Sequence, residues 1–144
     1  MKSDISFSEA QQSVRSQPLI LAIEDHEDNL LIINYVVDSL DCEFIGEISG
    51  EKTLTIAKKH QPDLILLDIM LPGINGIDIL QELQQDPATN SIPVIAVTAL
   101  AMSEEQKIIS EAGFHGCITK PYLLEDLENI IRHHLPRVET ELVA

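Results

Sequence analysis

The sequence predicts an α/β fold built on a doubly wound parallel sheet, and two observations support this. Short apolar runs alternate five times with segments of helical periodicity, which is the pattern of strand–helix units. The runs are apolar at successive rather than alternate positions, which is typical of parallel strands covered on both faces. Right-handed crossovers leave few topologies for five such units. The doubly wound solution has five strands in the flavodoxin-like order 2-1-3-4-5, with helices on both faces.

The predicted strands are the apolar runs. They cover 19–25 (LILAIED), 42–49 (CEFIGEIS), 63–68 (DLILLD), 92–99 (IPVIAVTA) and 116–119 (GCIT). The second strand is the least apolar of the long runs, and the fifth is very short.

The predicted helices follow the strands. They cover 26–40, 50–60, 76–86, 103–113 and 123–135. The first has acids in its opening turn, which suit a helix N-terminus, and the second ends in basic residues, which suit a C-terminus. Ser103 and Gln106 have the spacing of a capping box, and Gly113 is expected to end the fourth helix.

Length and composition bound the remaining possibilities. The 144 residues suit one domain, expected over 18–136, with a flexible polar arm at 1–17 and a tail at 137–144. A net charge of −15 disfavours binding to nucleic acid or to an acidic membrane. No apolar run approaches the roughly 18 residues of a membrane span, and the N-terminus lacks a signal-peptide pattern. We therefore expect a cytoplasmic protein, with Cys42 and Cys117 as unpaired packing residues.

Polar residues lie at the carboxyl ends of four predicted strands. They are Glu24 and Asp25 at the end of the first, Asp68 at the end of the third, Thr98 at the end of the fourth and Lys120 at the end of the fifth. A doubly wound sheet brings these ends together at one edge. Three clustered carboxylates repel one another unless a cation offsets their charge, and Mg²⁺ prefers such oxygen ligands. The set therefore predicts a magnesium-dependent phosphoryl site, with Asp68 as a carboxylate nucleophile.

Each member of this set also has an ordinary structural explanation. Asp25 could cap a helix, Asp68 could be a turn residue, and Thr98 could simply be a β-branched strand residue. Lys120 could be a solvated surface lysine. The coincidence of all of them at the ends of the right strands is what favours a site.

The motifs resemble those of the receiver domains of bacterial two-component response regulators, including the single-domain chemotaxis type. The resemblance covers about 19–135 and rests on AIED, DLILLDIMLPGINGIDIL, VIAVTALA and GCITKPY. The spacing also fits this family, because Thr98 follows Asp68 by 30 residues and Lys120 follows Thr98 by 22.

The resemblance implies a role for each site residue. Asp68 would be the phosphoacceptor, Thr98 the switch hydroxyl, and Lys120 the salt-bridging partner, followed by a cis peptide at Pro121. Mg²⁺ would be held by Asp68, by Asp25 directly, by Glu24 through water and by the backbone carbonyl of Met70.

The resemblance also implies partners. The phosphodonor would be a sensor histidine kinase or a histidine phosphotransfer protein. The protein would be a stand-alone response regulator, with contact to a downstream target protein as its output. It would catalyse its own phosphorylation and dephosphorylation and would not otherwise be an enzyme.

The sequence departs from the family at three positions. Cys117 stands where the family usually has an aromatic switch residue, so Tyr122, Phe114 or the segment from Thr98 to Gln106 would have to couple activation. The positions two after the aspartate and two after the threonine, which flank the phosphoryl site, are the apolar Met70 and Leu100.

Two other functions are compatible with parts of the pattern. A phosphohydrolase of the haloacid dehalogenase type would need a second aspartate two residues after the nucleophile, where this chain has Met70. A pseudo-receiver scaffold would lack some of the acidic, threonine or lysine positions, all of which are present here.

Overall fold

The computed structural model describes residues 16–99 and 103–135, and the architecture is the predicted one. The chain runs β1 (Leu19–Ile23), α1 (Glu27–Ser39), β2 (Glu43–Glu47), a 3₁₀ turn (Gly50–Lys52), α2 (Thr53–His60), β3 (Leu64–Asp68), β4 (Met70–Leu71), β5 (Ile74–Asn75), α3 (Gly76–Gln85), β6 (Val94–Thr98), α4 (Ser103–Ala112), β7 (Gly116–Thr119) and α5 (Leu124–His134). The predicted arm and tail lie almost entirely outside the described residues.

Five parallel strands form the main sheet in the order β2-β1-β3-β6-β7. These are the five predicted strands in the predicted order. The continuous apolar runs of β1, β3 and β6 are buried at every position, as expected for strands covered on both faces.

Two hydrophobic clusters lie on opposite faces of this sheet, because successive strand residues point in opposite directions. One face carries α2, α3 and α4, and its buried residues include Leu21, Ile23, Ile65, Leu67, Ile79, Leu80, Leu83 and Ile109. The other carries α1 and α5, and its buried residues include Ile20, Ala22, Leu64, Leu66, Ile33, Val37, Leu127 and Ile131. No helix in the described part of the chain has the length and apolar character that a bilayer crossing requires.

One local feature goes beyond the sequence predictions. Met70–Leu71 and Ile74–Asn75 pair as a small antiparallel ribbon directly after β3, which the sequence had indicated only as a turn. The side chain of Gln106 donates to Thr119 Oγ1 at 3.1 Å, and so connects α4 to β7. Gly113 ends α4 with a φ of +108°, as its position predicted.

Candidate functional site

The site lies at the carboxyl edge of the main sheet. Asp68 is the last residue of β3 and pairs in register with Val97, so Thr98 lies one residue further along the neighbouring strand. Thr98 in turn pairs with Thr119, which directly precedes Lys120. The parallel register therefore brings the ends of β3, β6 and β7 together, as the sequence predicted.

Lys120 connects two of the predicted carboxylates. Its Nζ lies 2.8 Å from Glu24 Oε1 and 3.0 Å from Asp68 Oδ2. Glu24 is 1% exposed and Asp68 is 4% exposed, so both carboxylates are removed from water. Burial alone would lower the pKa of Lys120, but the hydrogen bonds to Glu24 and Asp68 outweigh it and raise that pKa. The ammonium is thus held in its charged form between two buried acids.

The second oxygen of Asp68 is held by the backbone of the short ribbon. Met70 N–H donates to Asp68 Oδ1 at 2.9 Å. The loop is kept close to α3 by Gly76, whose N–H donates to the Ile69 carbonyl at 3.3 Å and whose missing Cβ would lie 2.5 Å from Ile69 Cα. Met70 itself is 59% exposed, so the start of the ribbon lies at the protein surface.

The acidic pair after β1 includes a third group, His26. The His26 Nδ1 lies 3.3 Å from Asp25 Oδ1 and 3.4 Å from Glu24 Oε2. The backbone N–H of His26 also donates to Glu24 Oε2 at 3.2 Å. One ligand atom from each of these three residues lies within 4.8 Å of the others, which is a spacing that a metal ion can span.

Thr98 is fully buried at the end of β6. Its carbonyl accepts a hydrogen bond from the Lys120 N–H at 2.7 Å. The peptide bond between Lys120 and Pro121 is cis, as the resemblance implied. The hydrogen bond to the Thr98 carbonyl holds the backbone of Lys120 beside Thr98, while the Lys120 side chain extends to Glu24 and Asp68.

The residues that the sequence offered in place of an aromatic switch lie in different places. Phe114 is buried in the core beneath α3 and α4, whereas Tyr122 borders a cavity of about 480 Å³ next to Lys120 and Pro121. Cys117 is a half-buried free thiol in β7, and burial raises its pKa, so it is a neutral packing residue at pH 7. Leu100 lies outside the described residues.

Sequence reasoning missed one contact of this site. It assigned Glu24 to a water-mediated metal contact and did not predict its bond to Lys120, which is 96 residues away. His26 directly follows the acidic pair in the sequence, so its ring could reach the rim of the site, and the structure places Nδ1 within 3.4 Å of both acids.

The protein belongs to the response regulator receiver domain family, whose family model matches residues 20–132. The class is that of two-component signalling proteins. Among curated relatives, the polar-differentiation response regulator DivK of Brucella ovis is 34% identical over 116 residues, which are 81% of this chain and 94% of the relative. The DivK protein of Brucella anthropi matches equally well.

Solved structures agree with this family. The receiver domain of the sensor histidine kinase PA1611 from Pseudomonas aeruginosa, which holds a magnesium ion in its active-site cleft, is 25% identical with a TM-score of 0.75. That match covers 83% of this chain and 98% of the other. The BeF3-activated receiver domain of Klebsiella pneumoniae RstA is 29% identical, with a TM-score of 0.73 over 83% of this chain and 99% of its own. Vibrio cholerae CheY4, at 19% identity and a TM-score of 0.78 over 83% of this chain and all of its own, shares the fold.

Proposed function

We propose that Asp68 is the phosphoacceptor of this receiver domain, taking its phosphoryl group from a sensor histidine kinase or a histidine phosphotransfer protein. The observation that carries this proposal is the bridge that Lys120 Nζ makes at 2.8 Å to Glu24 and 3.0 Å to Asp68. A nucleophilic carboxylate lies there at a sheet edge, beside a fixed ammonium and a second buried acid.

The proposed reaction is phosphoryl transfer to a carboxylate oxygen. An oxygen of Asp68 forms a bond to phosphorus while the bond from phosphorus to the donor nitrogen breaks, and the donor imidazole leaves. Lys120 then lies next to the new acyl phosphate and offsets charge on its oxygens. The Thr98 hydroxyl is the group we assign to the switch that follows. The domain would thus catalyse its own phosphorylation and dephosphorylation.

The charges of the site fit a divalent cation. The three carboxylates of Glu24, Asp25 and Asp68, together with the ammonium of Lys120, leave two negative charges. Carboxylate oxygens are the ligands that Mg²⁺ prefers, and the PA1611 receiver holds Mg²⁺ in its cleft. We therefore assign Asp25, Asp68, the Met70 carbonyl and, through water, Glu24 as the residues that would hold Mg²⁺. The ion would neutralise phosphoryl oxygens during transfer.

This chain has an apolar surface next to the site, to which the phosphodonor protein could bind. The cavity beside Lys120 is lined by Ile32 of α1 and Leu124 of α5, which are 43% and 47% exposed. Tyr35, three residues after Ile32 on the same helix, is 68% exposed. We infer that the donor covers this surface with an apolar helix face while it presents its phosphohistidine to Asp68. Output would follow through contact with a downstream target protein. The free thiols of Cys42 and Cys117 suit a reducing compartment such as the cytoplasm.

The direct test is labelling with acetyl phosphate in the presence of Mg²⁺. The wild type should gain one phosphoryl group per chain, and EDTA should prevent it. Asp68→Asn should abolish labelling, whereas Asp78→Asn should not, because Asp78 is an exposed aspartate in the first turn of α3. Equal labelling of the Asp68→Asn variant and the wild type would refute the assignment.

A second test separates the donor protein from the chemistry. Ile32→Glu should slow transfer from a phosphorylated histidine phosphotransfer protein by about tenfold or more, as expected when a buried apolar anchor worth about 2 kcal/mol is lost. It should leave labelling by acetyl phosphate intact. Ile108→Glu is the matched control, since Ile108 is 57% exposed on α4, away from the cavity. Equal slowing by both variants would contradict the assigned docking surface.

A further inference from the structure

His26 occupies the N-cap position of α1 without capping the helix. The side chain at this position usually accepts a hydrogen bond from a backbone N–H of the first turn, but His26 makes no such bond. Its ring turns back toward β1 instead and places Nδ1 near one oxygen of Asp25 and one of Glu24. The His26 ring therefore contacts the acidic pair and does not cap α1.

The two distances are almost equal, and both are long for a charge-assisted hydrogen bond. Nδ1 lies 3.3 Å from Asp25 Oδ1 and 3.4 Å from Glu24 Oε2, whereas such bonds are usually about 2.7–2.9 Å. Neighbouring ligands of an octahedral ion with bonds of about 2.1 Å lie about 3 Å apart. The distances from Nδ1 to these two oxygens are thus close to the distance between neighbouring ligands of one cation.

The accessibility of the ring also suits a ligand. The His26 side chain is 71% exposed and that of Asp25 is 24% exposed, while Glu24 is buried behind them. An exposed ring can complete its approach by a small rotation, and a cation can enter from the solvent side. The two uncompensated negative charges of the site remain available to a dication.

We propose that His26 Nδ1 is a nitrogen ligand of this pocket, which makes the site selective for first-row transition dications over Mg²⁺. The proposal rests on the proposed function, because it takes the pocket of Asp25 and Glu24 to be the metal site of the receiver. Imidazole suits Ni²⁺, Zn²⁺ and related ions, whereas Mg²⁺ favours oxygen ligands alone. Metal identity at the phosphorylation site would then respond to the supply of transition metals.

The test compares Ni²⁺ and Mg²⁺ affinities by calorimetric titration of the full chain. His26→Ala should reduce the ratio of Ni²⁺ to Mg²⁺ affinity by at least about tenfold, since even outer-shell partners of a metal site are worth about 10–100-fold. His133→Ala is the matched control, because His133 is another exposed histidine at a helix end and should leave the ratio unchanged. A ratio that is the same in His26→Ala as in the wild type overturns the proposal.

A spectroscopic readout identifies the ligand itself. With ¹⁵N-labelled histidine and Co²⁺ as a paramagnetic probe, the His26 ring nitrogen should show the largest shift or broadening of the five histidines in the chain. Asp25→Asn should remove that effect. An unshifted His26 signal in Co²⁺-loaded wild type contradicts nitrogen ligation.

Two outcomes separate this proposal from the proposed function. If Mg²⁺-dependent labelling of Asp68 holds and Asp25→Asn weakens both metals, but His26→Ala keeps the Ni²⁺ to Mg²⁺ ratio, then only the nitrogen ligand is refuted. If Asp25→Asn changes neither affinity and labelling of Asp68 is independent of Mg²⁺, the metal pocket itself is refuted and both proposals fall.

Discussion

Two aspartates stand at opposite ends of β3 and make very different contacts. Asp63, just before the strand, accepts a hydrogen bond from the Leu19 backbone N–H at 2.8 Å and donates its own N–H to the Leu19 carbonyl at 2.8 Å. Asp68, at the other end, accepts the Met70 N–H and is in addition bonded to the ammonium of Lys120, which also binds Glu24.

The aspartate before β3 therefore has a structural role, whereas the aspartate at the end of β3 has contacts that suit a reactive group. At the amino edge a carboxylate satisfies a backbone donor, which is an ordinary stabilising use of an acid. At the carboxyl edge a buried carboxylate depends on another side chain for its charge balance. A cation or a phosphoryl group can rearrange side chains that offset one another's charge, and we therefore expect reactivity at this edge.

Lys120→Met should have the largest effect on stability. It leaves Glu24 and Asp68 buried without their shared counter-charge, and breaking such a pair costs about 3–5 kcal/mol. Because Lys120 is 25% exposed, we expect about 3 kcal/mol in urea unfolding without divalent cations. Lys58→Met is the control: the bridge from Lys58 to Asp86 is a surface pair, so its loss should destabilise the fold much less. Equal losses of unfolding free energy in the two variants would mean that the Lys120 bridge stabilises the fold no more than a surface ion pair does.

The contribution of Lys120 should also depend on pH. Its folded-state pKa is raised above the ordinary value, so its stabilisation is complete below about pH 10.4 and is lost as the pH rises through the folded pKa. The difference in unfolding free energy between the wild type and Lys120→Met should therefore shrink in strongly alkaline solution. A difference that grows between pH 9 and pH 11 would contradict the bridge.

Gly76→Ala tests how closely the ribbon after β3 holds Asp68. An added Cβ would lie 2.5 Å from Ile69 Cα, so backbone must move, at a cost of about 1–3 kcal/mol. Labelling of Asp68 should slow as well, because Met70 N–H shifts away from its carboxylate. Gly73→Asn is the control, since Gly73 has a φ of +78° that Asn tolerates and open space around it. A gain in stability for Gly76→Ala, the usual result in a helix, would refute the close contact.

Asp63→Ala should have the smallest effect and sharpens the comparison most directly. It leaves the Leu19 N–H without its carboxylate acceptor, which should cost about 1–2 kcal/mol in thermal or urea unfolding. Asp63→Asn retains an oxygen acceptor and should cost less. Both variants should label at Asp68 like the wild type. Loss of labelling in Asp63→Ala would mean that the two ends of β3 are not independent.

The sheet and its order were predictable from the sequence because their signals are local and strong. The runs ending at Asp68 and Thr98 are apolar at nearly every position, and the alternation with helices leaves one doubly wound solution. Strand and helix ends moved by one or two residues, as hydrogen-bond assignments usually do. The second helix begins at Thr53 rather than Gly50, because a 3₁₀ turn precedes it.

The contacts between side chains were less predictable. The ribbon of 70–75 has only two residues in each strand, which is too short for an alternating pattern. The bond of Gln106 to Thr119 joins side chains of different elements, 13 residues apart, which no local pattern indicates. The sequence predicted that Lys120 and Glu24 lie at the same edge of the sheet, but it did not predict the direct bond between their side chains.

Strand β2 ends the main sheet and has consequences for self-association. A sheet edge presents unpaired backbone groups on which another chain can add a strand. β2 begins and ends in an acid, Glu43 and Glu47, so an in-register copy would place acid against acid whether it added parallel or antiparallel. Together with the net charge of −15 of the whole chain, the two acids of this edge disfavour aggregation through it at neutral pH.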